Sequence, residues 1–421
     1  MPTNDFNKEE RVAWEDICEA FEDDLSICHN FSTYTNDSRE MERQNNVIWR
    51  PMPYIMQSQD GMNQTGNFQG ATQLSVPASL GYYKSVPWEL NAMELRDALQ
   101  ENRLGLSARQ KIASDINTSC ANVAALQGTI VVKRTAAATG YDDVSECEAT
   151  MDELGIVSFD RIMGLSARDH NKMAGNLAAR ETINDMPTKA YRQSYVGNVA
   201  NFETFRVGSA PRLTAKTAAT VTFTSDVTPY VPAATQTAAT GETSNVDNRY
   251  QNISVTVGSG TIAVGDCFTA GVNSVHHITK QDTGQLKTYR VHAIVSGGGG
   301  TGVITISPPF ISGEGGTDAE LQYQNCTAAP VATDAITFLN TVTAYANPFW
   351  QKDALEILPG RIALDDAGLA VMRYTTPQGI ELVFAKQTGI GNFRTQYRMD
   401  AFWGVCNKQP EMSGIMLFSQ T

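Results

Sequence analysis

Basic residues are in short supply. Lys and Arg number 32 against 45 Asp and Glu, for a formal net charge of -13. Gripping phosphates needs clustered Lys and Arg, so a general nucleic-acid binder is excluded, and an anionic membrane surface is equally disfavoured. No apolar run approaches the roughly 20 residues of a membrane span. The opening MPTNDFNKEE is polar and acidic, unlike a secretory signal. The seven cysteines, at 18, 28, 120, 147, 267, 326 and 406, include no C-x-x-C pair. Such an odd, dispersed set reads as reduced thiols in a cytosol, acting mainly as small buried hydrophobes. On one helix Cys18 and Cys28 would sit roughly 15 Å apart, too far to bridge.

Signatures of catalysis are missing too. The glycines at 297–300 follow a strand-like run, but no G-K-[ST] follows and the next segment, TGVITIS, is itself strand-like. A hairpin turn accounts for them better than a phosphate loop. His276, His277 and His292 share one module, yet no Cys or carboxylate stands at ligand spacing beside them. Strand alternation also sends His276 and His277 to opposite faces. Asp142-Asp143 and Asp365-Asp366 are adjacent pairs, the pattern of solvated turns. No cofactor, metal ligand or catalytic residue is expected.

A long amphipathic helix dominates what is present. From Leu95 to Gln127 there is no proline, and Leu95, Leu99, Leu106, Ala113, Ile116, Cys120, Val123 and Ala124 recur at three- and four-residue steps. Pro87, Glu89 and Glu94 suit a helix start, and Gly128 a stop. The rod would reach on the order of 50 Å. A second helix is expected over 7–28, with Asn7 and Glu10 as a capping box and Trp14, Cys18, Phe21, Leu25 and Cys28 as its apolar stripe. Its opposite face carries Glu15, Asp16, Glu19, Glu22 and Asp23, either a solvated surface or a dock for a basic partner.

Elsewhere the period changes. Residues 45–86 read as a long hairpin with extended limbs, prolines at 51, 53 and 77, and a polar Gly/Asn/Gln-rich tip. Such a hairpin cannot bury its own faces and needs a neighbour. TIVVKR, then helix, strand and helix over 144–185, make an α/β layer. From about Leu213 to Asp334 the chain turns Thr, Ala, Gly and Val rich, with short alternating runs that mark a small all-β barrel or sandwich. With ALEILPG, IELVFAKQ and TQYRMDAFWGVC the composition returns to that seen before Leu213, so the β module is inserted into a host domain. Within that module Asn245–Tyr250, preceded by Gly241-Glu242, gathers both charge signs on one turn-rich loop. That loop is either a local turn or a charged contact across a symmetric subunit boundary.

Taken in order, NNVIWRPM at 45–52, LRD at 95–97, SARQKIASDINTSCANVAALQGTIVV at 107–132, NVDNRY at 245–250, VGD and AGV over 264–272, NPFWQKDALEIL at 347–358 and AFWGV at 401–405 resemble the major coat protein of short-tailed Salmonella phages along nearly the whole chain. The resemblance implies an α+β capsid fold of Hong Kong 97 type with an inserted all-β barrel. Its divisions would be an N-terminal arm at 1–44, an extended loop at 45–86, the spine helix of a peripheral domain at 87–128, and an axial domain beginning at 129–212. The inserted barrel would occupy 213–342, and 343–421 would complete the axial and peripheral parts. It further implies a major capsid protein of pentamers and hexamers, built into an icosahedral phage head through a scaffold-assisted procapsid that expands on maturation.

The expected partners are copies of the chain, an internal scaffolding protein, a portal protein at one vertex, packaged double-stranded DNA without sequence-specific binding, and decoration proteins. The virion is the expected location, with assembly in the host bacterial cytoplasm. Trp49, Glu242, Asp247 and Arg249 are expected at subunit contacts, and Glu15, Asp16, Glu19, Glu22 and Asp23 at the scaffold. Gly81, Gly105 and Gly128 are hinge candidates. The competing reading is a glycan- or metal-binding enzyme using His276, His277, His292, Tyr250, Phe268 and Tyr289. A decoration or tail-tube protein would leave the long helix without a purpose.

Overall fold

The computed structural model describes residues 6, 8–34, 47–66, 68–91, 98–179, 186–194, 196–297, 299–364, 369–389 and 391–421. The chain divides into two compact units: Met1–Ile48, Ala78–Cys120 and Glu356–Cys406, and Trp49–Pro77, Ala121–Leu355 and Asn407–Thr421.

The first unit is built on a six-stranded sheet. Its path runs Ser32–Thr33, Leu355–Pro359, Arg394–Asn407, Glu381–Gly389, Ala370–Thr375, with Tyr82–Asn91 also paired to Arg394–Asn407. Helix α1 (Lys8–Asp24) lies on it through the expected stripe, with Trp14, Cys18 and Phe21 buried. Phe6 and Trp14 both stack on Phe384, at 5.6 and 5.4 Å between centroids, and Phe384 stacks in turn on Trp88 and Tyr397. Lys386 Nζ stands 5.8 Å over both the Phe6 and Tyr397 rings and pairs with Glu10. That pairing gives Glu10 a partner other than the expected capping box; Asn7 lies outside the described residues.

Helix α1 also stops short of residue 28. The side chain of Asn117 donates to the Asp24 carbonyl at 2.7 Å and accepts from Ile27 N at 3.4 Å. It thereby takes over backbone groups at the helix end that a further turn would have satisfied. Cys28–Asn30 is a separate 3-10 turn.

Asn117 belongs to helix α2 (Ala98–Gln127), the rod expected from the period. At 1.5 Å per residue its length is about 45 Å. Ala113, Ile116, Cys120, Val123 and Ala124 are buried as the stripe requires, and Trp403 Nε1 donates to Ser119 Oγ at 2.9 Å. The start differs from expectation. Pro87 and Glu89 lie in the strand Tyr82–Asn91, with Pro87 opposite Arg398 and Glu89 opposite Gln396. This strand lies off the main path of the sheet, where a missing N–H can be tolerated. Leu95 and Glu94 lie outside the described residues. Gly105 and Gly128, expected as hinges, are sites of close approach. A Cβ at Gly105 would stand 2.9 Å from Ile17 Cδ1, and one at Gly128 2.8 Å from the Gly414 backbone nitrogen.

The second unit holds a mixed six-stranded sheet and a closed barrel. The sheet runs Ile130–Lys133, Ser413–Leu417, Asn347–Gln351, Arg161–Ser166, Phe202–Val207, Asn198–Val199. Helices α3 (Tyr141–Glu153) and α4 (Ala167–Ala178) bury Val144, Cys147, Met151, Met173 and Ala174 in a core shared with sheet residues Met163, Leu165 and Phe349. A short helix α5 (Met186–Gln193) follows. The barrel closes in the order Ala219–Phe223, Gln251–Ser259, Thr301–Ser307, Asp282–Ser296, Cys267–Val275, Ala335–Phe338, all antiparallel. Phe223, Phe268, Tyr289, Ile306 and Phe310 fill it, with Tyr289 and Phe310 only 4.3 Å apart between ring centroids. The strands Asp282–Ser296 and Thr301–Ser307, on either side of the glycine-rich stretch in sequence, pair as one antiparallel hairpin, as expected.

The extended loop is shorter as a ribbon than expected. Among the described residues the strands Val47–Pro51 and Ser75–Ser79 pair, with Met52 N donating to the Leu74 carbonyl at 2.8 Å, and the returning limb enters the first unit's sheet from Tyr82 instead of continuing the hairpin to 86.

Candidate functional site: surfaces for assembly

Thr235–Thr237 and Thr243–Asn245 form a two-stranded hairpin beside the barrel, and every one of these six residues is exposed. Its turn is closed by Gly241 N to Ala238 O at 2.9 Å and Ala238 N to Glu242 O at 2.8 Å, with Gly241 at φ +88°. Only glycine adopts that backbone freely. Glu242 is therefore presented at the end of a projecting arm.

The base of the arm is fastened by the NVDNRY loop. Asn248 is buried and fully used: Oδ1 accepts from Tyr230 Oη and Ala233 N, both at 3.1 Å, and Nδ2 donates to the carbonyls of Ala233 and Val246. Arg249 bonds Asp247 in a two-point pair, donates from NH1 to the Asn407 carbonyl at 2.7 Å, and stands 5.1 Å over the Tyr250 ring. His292 stacks on the other partner of this group, Tyr250, at 4.1 Å, and burial followed by the Arg249 charge lowers its pKa. Asp247 and Arg249 thus meet each other within the subunit, whereas Glu242 faces solvent.

The extended loop shows the opposite of a buried core. Tyr54, Met56, Met62 and Phe68 are exposed, Met62 completely. Its return limb is held from the connection between the barrel strands Thr301–Ser307 and Ala335–Phe338: Gly70 N donates to Asp318 Oδ2 at 2.9 Å, Gln322 Nε2 to the Gly70 carbonyl at 2.8 Å, and Tyr323 Oη to the Thr72 carbonyl at 2.8 Å. These come from helix α6 (Asp318–Tyr323), a helix not expected from the sequence. Its signal was there, since Thr317 and Glu320 form a capping box. Trp49 is half-buried on the outgoing strand.

On α1, Glu15, Asp16 and Glu19 are exposed, forming an acidic strip. The side chains of Glu22 and Asp23 lie outside the described residues.

Of the histidines of the competing reading, His276 caps a turn, its Nδ1 accepting from Ile278 N and Thr279 N, and His277 is fixed through its backbone, its N donating to the Leu154 carbonyl at 3.0 Å. His277 and His276 do not join His292, which stands on Tyr250. Among the described residues no three His, Cys, Asp or Glu side chains are grouped to hold a metal. Phe268 and Tyr289 are wholly buried in the barrel core, so neither can stack on a sugar. A cavity of about 160 Å³ between the strand Ile130–Lys133 and Gln285–Thr288 falls short of the 300 Å³ or so of a ligand pocket. No helix among the described residues is long and apolar enough to cross a membrane.

The family model described as P22 coat protein, gene protein 5, matches residues 1–419. Among solved structures, a chain of Mycobacterium phage Che8 is similar over 90% of this chain and 87% of its own, at 9% identity and TM-score 0.40. The capsid of the cyanophage P-SCSP1u matches over 93% and 86%, at 9% identity and TM-score 0.42. The CUS-3 coat protein I-domain is 40% identical over 29% of this chain and 96% of its own, with TM-score 0.23. The enzyme alternative is thereby overturned, because the matched family is one of structural coat proteins. The chain belongs to the P22 coat protein family: it is a bacteriophage major capsid protein of the virion shell, with an α+β fold in which a closed barrel is inserted between strands of one sheet.

Proposed function

We propose that this capsid subunit assembles as pentamers and hexamers into an icosahedral procapsid around an internal scaffolding protein, and that the shell expands as double-stranded DNA is packaged. A portal protein would occupy one vertex, and decoration proteins could join the outside. The proposed domain division keeps the arm to 44, the axial domain from 129, the inserted barrel at 213–342 and the remainder to 421, whereas the extended loop gives way at Tyr82 to a sheet strand and the spine helix begins at Ala98. Assembly takes place in the host cytoplasm.

The observation that carries this reading is the uncovered apolar surface of the extended loop in a chain of coat-protein family. Met62 is completely exposed and Phe68 is 89% exposed, which gains a lone subunit nothing. A neighbouring copy burying Met56, Met62 and Phe68 would repay each contact, and repetition around the shell multiplies weak contacts. Trp49 stands at the root of this loop. Glu242, on its exposed hairpin, is a contact to a neighbouring capsomer, and Asp247 and Arg249, paired with each other at the base of that hairpin, are the further contact residues. The acidic strip of Glu15, Asp16 and Glu19, extended in sequence by Glu22 and Asp23, suits a basic segment of the scaffold. The net charge of -13 keeps the inner wall from gripping packaged DNA.

Co-expression with the scaffold tests the reading. Megadalton particles with an internal scaffold layer, seen by sedimentation and electron microscopy, are expected. Reversing Glu15, Asp16 and Glu19 to Lys together is expected to abolish scaffold incorporation while leaving the subunit's urea midpoint unchanged. A wild-type chain that stays monomeric with scaffold present would rule the reading out.

A further inference from the structure

We infer that Cys28 and Cys120 form a latent disulfide, kept reduced while the subunit folds in the host cytosol and closed once the virion meets an oxidising exterior. The pairing rests on geometry alone; only its timing rests on the capsid reading above.

The two sulfurs lie 3.5 Å apart, and both residues are wholly inaccessible to solvent. A disulfide needs about 2.05 Å, so side-chain rotation and a small shift of one segment bring them to bonding distance. The segment that can shift is the 3-10 turn Cys28–Asn30, since Cys120 is embedded in the long helix α2. The turn is already held in register. Asn117, three residues before Cys120 and on the same helical face, bonds both Asp24 O and Ile27 N. Arg109 adds an ion pair to Asp24 at 3.2 Å. The approach of the two thiols is thus built by four residues of the arm and spine rather than by chance packing. Other thiols have different neighbours: Cys147 lies against Met416, and Cys267 against Arg290.

The chemistry needs an oxidant, here a low-molecular-weight disulfide RSSR. Cys28 attacks first, because a three-residue turn opens more readily than the middle of a helix. Its thiolate displaces one RS⁻, which takes up a proton, leaving a mixed disulfide on Cys28. The Cys120 thiolate then displaces the second RS⁻. Two thiols lose two electrons and two protons in all, and RSSR becomes two RSH. The hydrogen bond with Cys28 and burial hold the Cys120 thiol well above its ordinary pKa, so closure is slow and does not compete with folding. Once made, the bond ties the arm to the spine across 92 residues of sequence.

The test uses the full-length subunit, incubated with glutathione disulfide or with dithiothreitol. Each sample is unfolded in N-ethylmaleimide and digested, without reduction, by trypsin with a glutamyl endopeptidase, so that Cys18 and Cys28 fall on separate peptides. The oxidised sample is expected to contain a Cys28–Cys120 linked pair, lighter by two hydrogens than its parts. Its thermal midpoint should rise by on the order of 5 °C over the reduced sample. Cys28→Ala should remove both effects and Cys18→Ala neither. Oxidised protein in which Cys28 and Cys120 are both still alkylated, or in which Cys28 is joined to another cysteine, would overturn the assignment. The wild-type mass measurement decides the matter even where a variant fails to fold.

Discussion

Arg249 grips Asp247 at two points, Nε to Oδ1 at 2.8 Å and NH2 to Oδ2 at 2.7 Å, while its third arm holds the Asn407 carbonyl. The Arg249 side chain is 9% exposed, so the pair is shielded from most solvent screening. Removing the guanidinium leaves Asp247 and the Asn407 carbonyl without their charged donor. Arg249→Ala is expected to cost about 1–3 kcal/mol of subunit stability. A double-mutant cycle with Asp247→Ala, read by urea unfolding, should return a coupling of similar size; additive effects would mean that the pair contributes nothing.

The arm depends on one aromatic stack. Trp14 is buried against Phe384, itself stacked on Trp88 and Tyr397. Trp14→Ala should lower stability by roughly 3–5 kcal/mol. The arm should also become the first segment cut in limited proteolysis, with cleavage between residues 8 and 24. Protection equal to wild type would show that Phe6 and Glu10 suffice to hold it.

Acid should loosen the second unit. Burial lowers the His277 pKa to about 4, from an ordinary 6.5. The unfolded chain therefore binds a proton that the folded chain refuses, and stability falls as pH drops from 6.5 towards 4. Glu411 adds in the same direction. Burial pushes it up, but Lys287, His277 and Lys280 outweigh this and hold it below 4.5, so its contribution is lost as pH falls through that lowered value. His277→Gln should flatten the fall, by on the order of 1–3 kcal/mol at the acid end. Urea midpoints across this pH range would show it, and an unchanged slope would refute it.

Gly128 ends the spine where the chain must pass the strand Ser413–Leu417. A Cβ there would lie 2.8 Å from Gly414 N and 2.9 Å from Ser413 C, both backbone atoms that cannot swing aside. Gly128→Ala should cost about 1–3 kcal/mol through overpacking. At Gly81 a Cβ would meet nothing within 4 Å, so Gly81→Ala should be close to neutral in the same thermal melts.

Much of the fold was legible because it is written in short periods. The α2 stripe, the α1 stripe and the alternation of the barrel strands each depend on neighbours one or two turns away, and each element formed where its pattern lay. The errors fell where a partner distant in sequence overrode local preference. Pro87 and Glu89 resemble a helix start, yet pairing with Arg398 and Gln396 draws them into a sheet. Residues 25–28 continue the α1 stripe, yet Asn117 captures the helix end. Helix α6 was missed despite its capping box, because six residues carry too little period to stand out in a β-rich module.

The sites divide in the same way. Acidic excess, an exposed acidic helix face, the polar loop tip and the turn-rich NVDNRY segment are properties of composition and short range, and the sequence by itself determined them. It also carried the ordered likeness to phage coat proteins. Only the tertiary structure decided that Asp247 is matched by Arg249 inside the subunit, that Gly70 is held by Asp318 from 248 positions away, and that Cys28 lies against Cys120. The reason is physical. A repeat of 2 or 3.6 residues reports which face of an element is apolar, but which distant side chain meets that face depends on how the chain closes its loops. No local pattern encodes that path.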